Sequence, residues 1–249
     1  MLICTLGDLL LDVIVRLERP LENGDDVRAA TRLEPGGQAA NVAAWAAALG
    51  AQARLVCRRG DDENGRLLAA QLAERGVEVL GEDGGRSGVV VSLVGPDGER
   101  SMASDRAADL ARIDPAWIAG ADSLHISGYA LTDEAVAAAK PAHRVSLDLS
   151  ATTLLDEAFR KRAVELGPEV VFATEAEREA LGLELEATWV VKRGGGGIVV
   201  DGEPYAALPA QVVDTTGAGD ALAAGFLIGG PKLALEAAAR CVAKLGAMP

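Results

Sequence analysis

The sequence predicts an α/β protein of three layers, helix–sheet–helix, around a mostly parallel central sheet, with a small β-lid set apart from it. Three observations carry this expectation. From residue 123 onward, short apolar runs alternate with helical stretches, the rhythm of a parallel sheet covered on both faces. Residues 88–94 and 99–103, around Gly95-Pro96-Asp97-Gly98, read as a β-hairpin outside that rhythm. The chain has 249 residues, 49% of them hydrophobic. That is enough for one substantial core and short for two, so residues 1–249 are read as a single domain.

Taken in order, residues 2–6 form an apolar strand that ends at Gly7-Asp8. Residues 9–16 continue extended, with Asp12 an acid inside an apolar segment. Burying that charge is costly unless something accepts it, and a solvated edge position suits it equally. Residues 20–26 are turn-rich, and 27–33 alternate weakly, as an exposed strand does. Gly36-Gly37 then leads into an Ala-rich helix over 42–49, stopped by Gly50. Residues 53–57 read as a strand. The acidic stretch 60–65 lacks the spacing of an EF-hand loop and reads as the cap of a helix over 66–75. A short strand follows at 77–80. The hairpin is expected to pair with strands near 12–18 and 27–33, which places the lid strands within 12–33 and 88–104. Arg100 and Arg106 flank its exit, where single arginines are ordinarily solvated surface.

Strands are then expected at 123–126, 144–149, 169–172, 189–192 and 198–200, with helices at 133–139 and 155–166 and one reaching Leu181. In such sheets, sites gather at the C-terminal ends of the strands. One end carries Thr174 and Glu177, which also fit a capping box. Another carries Lys192 before the glycines 194–197. This is no Walker loop, because the Lys precedes the glycines, and a hairpin turn accounts for it as well. Val212 and Val213 read as the end of a buried strand. Gly217, Ala218 and Gly219 make a turn with almost no side chain, and Asp220 stands where the next helix begins. The first turn of a helix has unpartnered N–H groups and the positive end of the helix dipole, so it attracts an anion. An Asp there repels the same anion, a conflict that resolves if the Asp is a base. A plain strand, tight turn and Asp N-cap gives the same string. It is not a dinucleotide fingerprint, since Leu222 stands where the third glycine belongs. A last amphipathic helix is read over 231–245.

The net charge is −13, from 24 basic and 37 acidic residues, and no basic stripe marks a nucleic-acid binder. Cys4, Cys57 and Cys241 are odd in number and far apart, so they read as reduced, buried thiols. His125 and His143 lack metal-ligand spacing. No basic segment with a cleavage site precedes the first strand, and no apolar run reaches bilayer length. A soluble cytoplasmic protein with no membrane partner is expected.

The string Asp214-Thr215-Thr216-Gly217-Ala218-Gly219-Asp220 resembles the C-terminal signature of the ribokinase-like, or PfkB, family of sugar and nucleoside kinases. Gly7-Asp8 with Asp12, Gly36-Gly37 with Asn41, the Gly60-Asp61 turn with Gly65, the run 98–108, Thr174 with Glu177, and Gly194 with Gly197 resemble further family motifs. The resemblance implies a ribokinase-like fold and an ATP-dependent kinase acting on a sugar hydroxyl. Asp220 becomes the catalytic base, and Gly217, Ala218 and Gly219 the anion hole. Asp8, Asp12, Gly36, Gly37, Gln38, Asn41 and Arg106 fall to the sugar. Thr174, Glu177, Lys192, Gly194, Gly197 and Thr215 fall to the nucleotide, with Mg²⁺ reached from Glu177 through water. Asp214 and Thr216 are candidate K⁺ ligands. Many relatives in the family dimerise through the lid, so the resemblance implies a homodimer of that kind as an expectation.

The departures from the family pattern are Leu222 for Phe, Thr174 for Asn, Ala107 and Asp109 for Gly and Asn, and a shortened stretch after the last helix. The resemblance leaves three alternatives. Arg106 reading a carboxylate points to a sugar-acid kinase of the 2-keto-3-deoxygluconate type. A nucleoside kinase is the second, with few aromatics to stack a base. A non-catalytic sugar- or nucleotide-binding relative is the third. A phosphofructokinase needs a cationic pocket, and the sequence displays no such cluster.

Overall fold

The computed structural model describes every residue except 99, 108, 109 and 111. The readings that involve Glu99, Ala108 and Asp109 therefore lie outside the described residues. In chain order the first strands are β1 (Leu2–Leu6), β2 (Leu10–Leu17), β3 (Ala29–Gly36), β4 (Gln52–Arg59), β5 (Val77–Asp83), β6 (Gly88–Val94) and β7 (Arg100–Asp105). They are followed by β8 (Ser123–Ser127), β9 (Val145–Asp148), β10 (Val170–Thr174), β11 (Thr188–Lys192), β12 (Ile198–Val200) and β13 (Glu203–Tyr205). The helices are α1 (Gln38–Ala48), α2 (Glu63–Glu74), α3 (Pro115–Ile118), α4 (Asp133–Ala139), α5 (Glu157–Leu166), α6 (Glu175–Leu181) and α7 (Ala218–Val242).

The large sheet runs β13-β12-β11-β10-β9-β8-β1-β4-β5. It is parallel from β11 to β5, and β12 and β13 close one edge antiparallel. Side chains alternate across each strand, so consecutive residues feed opposite layers. Ile3, Leu55 and Phe172 enter the core that holds α1, α2 and α7. Cys4, Val56 and Val171 enter the core under α3, α4, α5 and α6. Burial on both faces explains why these strands read as continuous apolar runs. The three cysteines are buried and unpaired.

The second sheet runs β3-β2-β6-β7. β2 lies between β3, antiparallel, and β6, parallel, and β7 returns antiparallel along β6. Only Gly7, Asp8 and Leu9 separate β1 from β2, so those residues are held where the two sheets meet.

The helix ends follow local chemistry. Asp62 caps α2 by accepting from Gly65 N at 2.8 Å, and also holds Ser87 through its N–H and hydroxyl. Asp156 caps α5 by accepting from Phe159 N at 2.8 Å.

Three expectations need correction. Val212 and Val213 form no strand. They lie in a surface loop, with Val212 64% exposed and Val213 N bonded to Val242 O at 2.7 Å. Two β-branched residues carry no information about which neighbour would pair with them. α7 begins at Ala218 with Gly217 as its N-cap, so Asp220 is the third helical residue rather than the first. By length and apolar composition α7 passes as a membrane-spanning segment, which the sequence was read as lacking. Gly229 and Gly230 leave helical geometry and break it before Pro231, and its Ala221, Ala223, Ala224, Ala234 and Ala237 are packed into the core.

Candidate active site

The site is built outward from Asp220. α7 lies against α1, and small residues on both let the helices approach closely. That approach brings Asn41, in the first turn of α1, to Asp220. Its Nδ2 donates to Asp220 Oδ2 at 2.7 Å. Asp220 keeps some exposure, yet desolvation pushes its pKa up to about 8. The Asn41 bond opposes that rise, Asp148 and Asp8 add to it, and Lys192 opposes it. An acid ionising near neutrality is suited to taking a proton. If Asp220 is the base, the active form is lost as pH falls through its raised pKa. The expected kcat/KM profile therefore climbs through about pH 8 and levels off above it, and this limb flattens if another group is the base.

Beside Asp220 lies the start of α7. Gly217 adopts φ 75°, and a Cβ there would stand 2.5 Å from Ala247 Cβ, so both conformation and space require glycine. A Cβ on Gly219 would stand 3.7 Å from Lys192 Nζ, which puts the ammonium at the first turn of the helix. Lys192 ends β11, and its Nζ pairs with Asp148, at the end of β9, at 2.8 Å. Burial alone would lower the lysine pKa, but Asp148, with Glu177 and Asp220 behind it, holds it above the ordinary value. A fixed cation and the helix N-terminus thus face the same point.

Asp214 and Thr216 meet, but they close a turn on each other. Thr216 donates to Asp214 Oδ1 through its N–H at 2.8 Å and its hydroxyl at 2.6 Å, and Gly246 N donates to Oδ2 at 3.0 Å. Arg100, from β7, donates to Thr216 Oγ1 at 2.6 Å and stands 3.8 Å from Asp214. With these oxygens taken by protein donors and a guanidinium alongside, the donor set does not fit K⁺. Among the described residues no three His, Cys, Asp or Glu side chains gather as a metal site. Arg100 was read as solvated surface; its reach to the 214–216 loop depends on the second sheet folding over the first.

At the other end, Asp12 leans on Gly36. A Cβ on Gly36 would fall 2.1 Å from the Asp12 carboxyl carbon. Burial, with Asp8 and Glu34 adding and Arg106 opposing, raises the Asp12 pKa to about 7. Gly37 adopts φ 101°, and a Cβ there would stand 2.5 Å from Asp8 O. Asp8 pairs with Arg106 at 2.5 Å, and the Arg106 guanidinium lies 3.6 Å over the Tyr129 ring. Asp8 Oδ1 and Asn41 Oδ1 are buried with no hydrogen-bond partner among the described residues. Buried acceptors are rarely left so, and sugar hydroxyls are donors of the right kind. Gly36→Ala should push the Asp12 carboxylate aside. The expected result is a rise of about tenfold or more in sugar KM, the loss of one charged hydrogen bond, with the KM for ATP held. Steady-state kinetics with each substrate varied checks it.

Gln38 has another task. Its Oε1 accepts the hydroxyls of Ser127 at 2.6 Å and Ser150 at 2.5 Å, tying the ends of β8 and β9 to α1. Thr174 and Glu177 form the full capping box of α6. Glu177 Oε2 accepts from Thr174 N at 2.7 Å, and Thr174 Oγ1 accepts from Glu177 N at 3.2 Å. Glu177 is nonetheless near enough to Lys192 to act on its charge. Gly197 has a packing reason, since a Cβ would stand 2.0 Å from Tyr205 O, while a Cβ on Gly194 meets nothing within 4 Å. Thr215 is exposed beside the start of α7, and its carbonyl accepts from Ala218 N at 3.3 Å. Asp148, Tyr129 and the serines 127 and 150 were not singled out by sequence. Their only signal was position, at or just after a strand's C-terminal end.

The fold and this arrangement define a small-molecule kinase with a ribokinase-like α/β architecture, a phosphotransferase with a hydroxyl acceptor. The chain belongs to the pfkB family of carbohydrate kinases, whose model matches residues 1–248. It is 32% identical to an ATP-dependent ribose-1-phosphate kinase of Halopiger xanaduensis, over 92% of this chain and 86% of that one. Its structure is similar to adenosine kinase from Sinorhizobium meliloti, with a TM-score of 0.83 and 26% identity, covering 99% of this chain and 95% of that one. Ribokinase from Thermotoga maritima shares the fold at a TM-score of 0.80 and 20% identity, with 100% and 96% covered. The chain is thus a sugar or nucleoside kinase of an ATP-dependent family.

Proposed function

We propose that the chain transfers the γ-phosphoryl group of ATP to a sugar hydroxyl, with Asp220 as the base. The observation that carries this is the Asn41–Asp220 contact beside the α7 N-terminus and Lys192. Asp220 accepts the hydroxyl proton as the oxygen attacks phosphorus. Main-chain N–H groups of Gly217 and Gly219 and the Lys192 ammonium stabilise charge on the transferring oxygens, while the Ala218 N–H is turned to the Thr215 carbonyl. Such reactions rest on positioning and electrostatics, which rigid helix and strand ends supply. Asn41 holds the Asp220 carboxyl in one orientation, and Asp12 and the free oxygens of Asp8 and Asn41 accept from the sugar. Mg²⁺ brought with the nucleotide would supply positive charge to the phosphates, and Glu177 is the residue that would hold it. Glu177 suits it through water, since this ion keeps much of its hydration shell.

The sugar reading has more support than a nucleoside, because Tyr129, the aromatic ring at this end, is covered by Arg106. A homodimer through the second sheet would use its open edges, β3 and β7, both largely exposed. The decisive experiment is ADP formation over a panel of sugars, sugar acids, sugar phosphates and nucleosides. Turnover with a sugar-based acceptor is expected. If none of these yields ADP, the chain is a binding relative and the catalytic assignment is wrong.

A further inference from the structure

We propose that Ser150 is a positioning residue for phosphoryl transfer, whose side chain and main chain together fix Lys192 relative to Asp220. This rests on the kinase reading and deepens it. Ser150 lies two residues past the end of β9 and adopts φ 67° although it is not glycine. Ala151 N bonds Leu149 O across it at 2.8 Å, closing a γ-turn whose positive-φ form is rare and strained. Such a conformation persists only where its surroundings over-determine it, and it concentrates at functional sites. Glycine would adopt this φ freely but would lose the hydroxyl. The strain is kept together with that hydroxyl.

The Ser150 hydroxyl donates to Gln38 Oε1 at 2.5 Å and accepts from Gly128 N at 2.8 Å. Its N–H donates to Asp148 Oδ1 at 2.9 Å. The same carboxylate receives the Lys192 ammonium, at 3.1 Å on Oδ1 and 2.8 Å on Oδ2. Gln38 opens α1, and Asn41, three residues along on the same face, donates to Asp220. The Ser150–Gln38 contact therefore closes a ring. It runs from Asp220 through Asn41 and the first turn of α1 to Gln38, then through Ser150 and Asp148 to Lys192. Lys192 returns to the start of α7, 3.7 Å from where a Cβ on Gly219 would stand. Ser150 thus joins the half of the site that holds the base to the half that holds the cation.

Packing leaves the turn little freedom. A Cβ on Gly128 would stand 2.7 Å from both Asp148 O and Leu149 O, so glycine lets the γ-turn lie directly on the end of β8. Ser127 is the natural comparison. Its hydroxyl also donates to Gln38 Oε1, at 2.6 Å, but its side chain makes no bond to Asp148 among the described residues. Removing the Ser127 hydroxyl loosens Gln38 alone. Removing the Ser150 hydroxyl frees the turn that holds the Asp148 carboxylate as well, and with it the ammonium. A misplacement of about 1 Å, caused at a distance from the chemistry, costs about 100-fold in rate.

The test has two arms. In turnover, with the acceptor that gives most ADP, Ser150→Gly should lower kcat by about tenfold or more and leave the acceptor KM within about threefold. Ser150→Asn tolerates the φ and carries a donor and an acceptor, so it should recover most of the loss. Ser127→Ala should cost less than Ser150→Gly. Gln38→Met breaks the same contact from α1 and should lower kcat likewise, and adding Ser150→Gly to it should cost little more. In binding, calorimetry in the Asp220→Asn background gives the affinities for MgATP and MgADP without catalysis. Lys192 faces the phosphoryl group that ADP lacks, so Ser150→Gly should lower the ATP-to-ADP affinity ratio by about tenfold. A ratio that holds overturns the proposal. So does a kcat within threefold of the parent, an equal loss in the Gly and Asn variants, or a Gln38→Met variant that changes the acceptor KM alone. In these cases parental turnover leaves the kinase reading standing. If the parent turns over no acceptor while the ratio still falls, Ser150 does position Lys192 and the kinase reading fails.

Discussion

Asp220→Asn should lower kcat by about 10³-fold while the protein stays folded and still binds ATP and sugar, within the range a positioned general base supplies. The substitution keeps shape and removes only the ability to take a proton. Asn41 can still meet the residue at 220, since an amide oxygen accepts from Nδ2 as the carboxylate does at 2.7 Å. The same variant makes a stability prediction of opposite sign. The Asp220 pKa is raised from 3.8 to about 8 in the folded state. Between those values the native protein holds a proton that the unfolded chain has released. The stability contributed by this group is then present at low pH and falls as pH rises toward about 8. Asn cannot ionise, so Asp220→Asn should melt higher than the parent at alkaline pH, by about 2–4 °C for each kcal/mol relieved. Near-native turnover in the variant removes Asp220 from the base role. An unchanged melting temperature at pH 9 would show that the carboxylate is not strained by burial.

Lys192→Met should be the most destabilising single change in the site. Asp148 is 1% exposed, and its carboxylate receives the Lys192 ammonium and Ser150 N. Without the lysine, a buried charge stays behind with one main-chain donor. Breaking such a pair on one side costs about 3–5 kcal/mol, or roughly 10 °C in melting temperature for a chain of this size. Because the lysine pKa is held above its ordinary value, the pair contributes fully at neutral pH and is lost only as pH rises through that raised value. The double variant Asp148→Asn/Lys192→Met removes both charges and should recover most of the stability. Activity should not return with it, because the α7 N-terminus has lost its neighbouring cation. If the double variant regains turnover, Lys192 serves the fold alone.

Much of this site was legible before any coordinates. The turn 217–219 followed by an acid, the glycine pair with Asn41, and the acid at 12 are short patterns whose residue types limit what the backbone can do there. The signature placed Asp220 at a helix start, and the structure moved the start by two residues without moving the argument. The valines at 212 and 213 misled for a definite reason: strand propensity reports a preference for a half-buried surface, and no neighbouring strand was available to them. The capping box at Thr174 and Glu177 was also readable, since its two hydrogen bonds close within one turn.

What the sequence determined by itself is local: the period of each strand and helix, the glycines at positive φ, the caps, and an acid in the first turn of the helix that follows the 217–219 turn. All of these depend on contacts between residues a few positions apart, so their chemistry is written in adjacent letters. The tertiary structure decided the pairings. Asn41 on Asp220, Lys192 on Asp148, Arg100 over the 214–216 turn and Ser150 on Gln38 join segments far apart in the chain. Such contacts exist only after strand order and helix packing are fixed, and they set the charge, desolvation and proton affinity on which the chemistry turns.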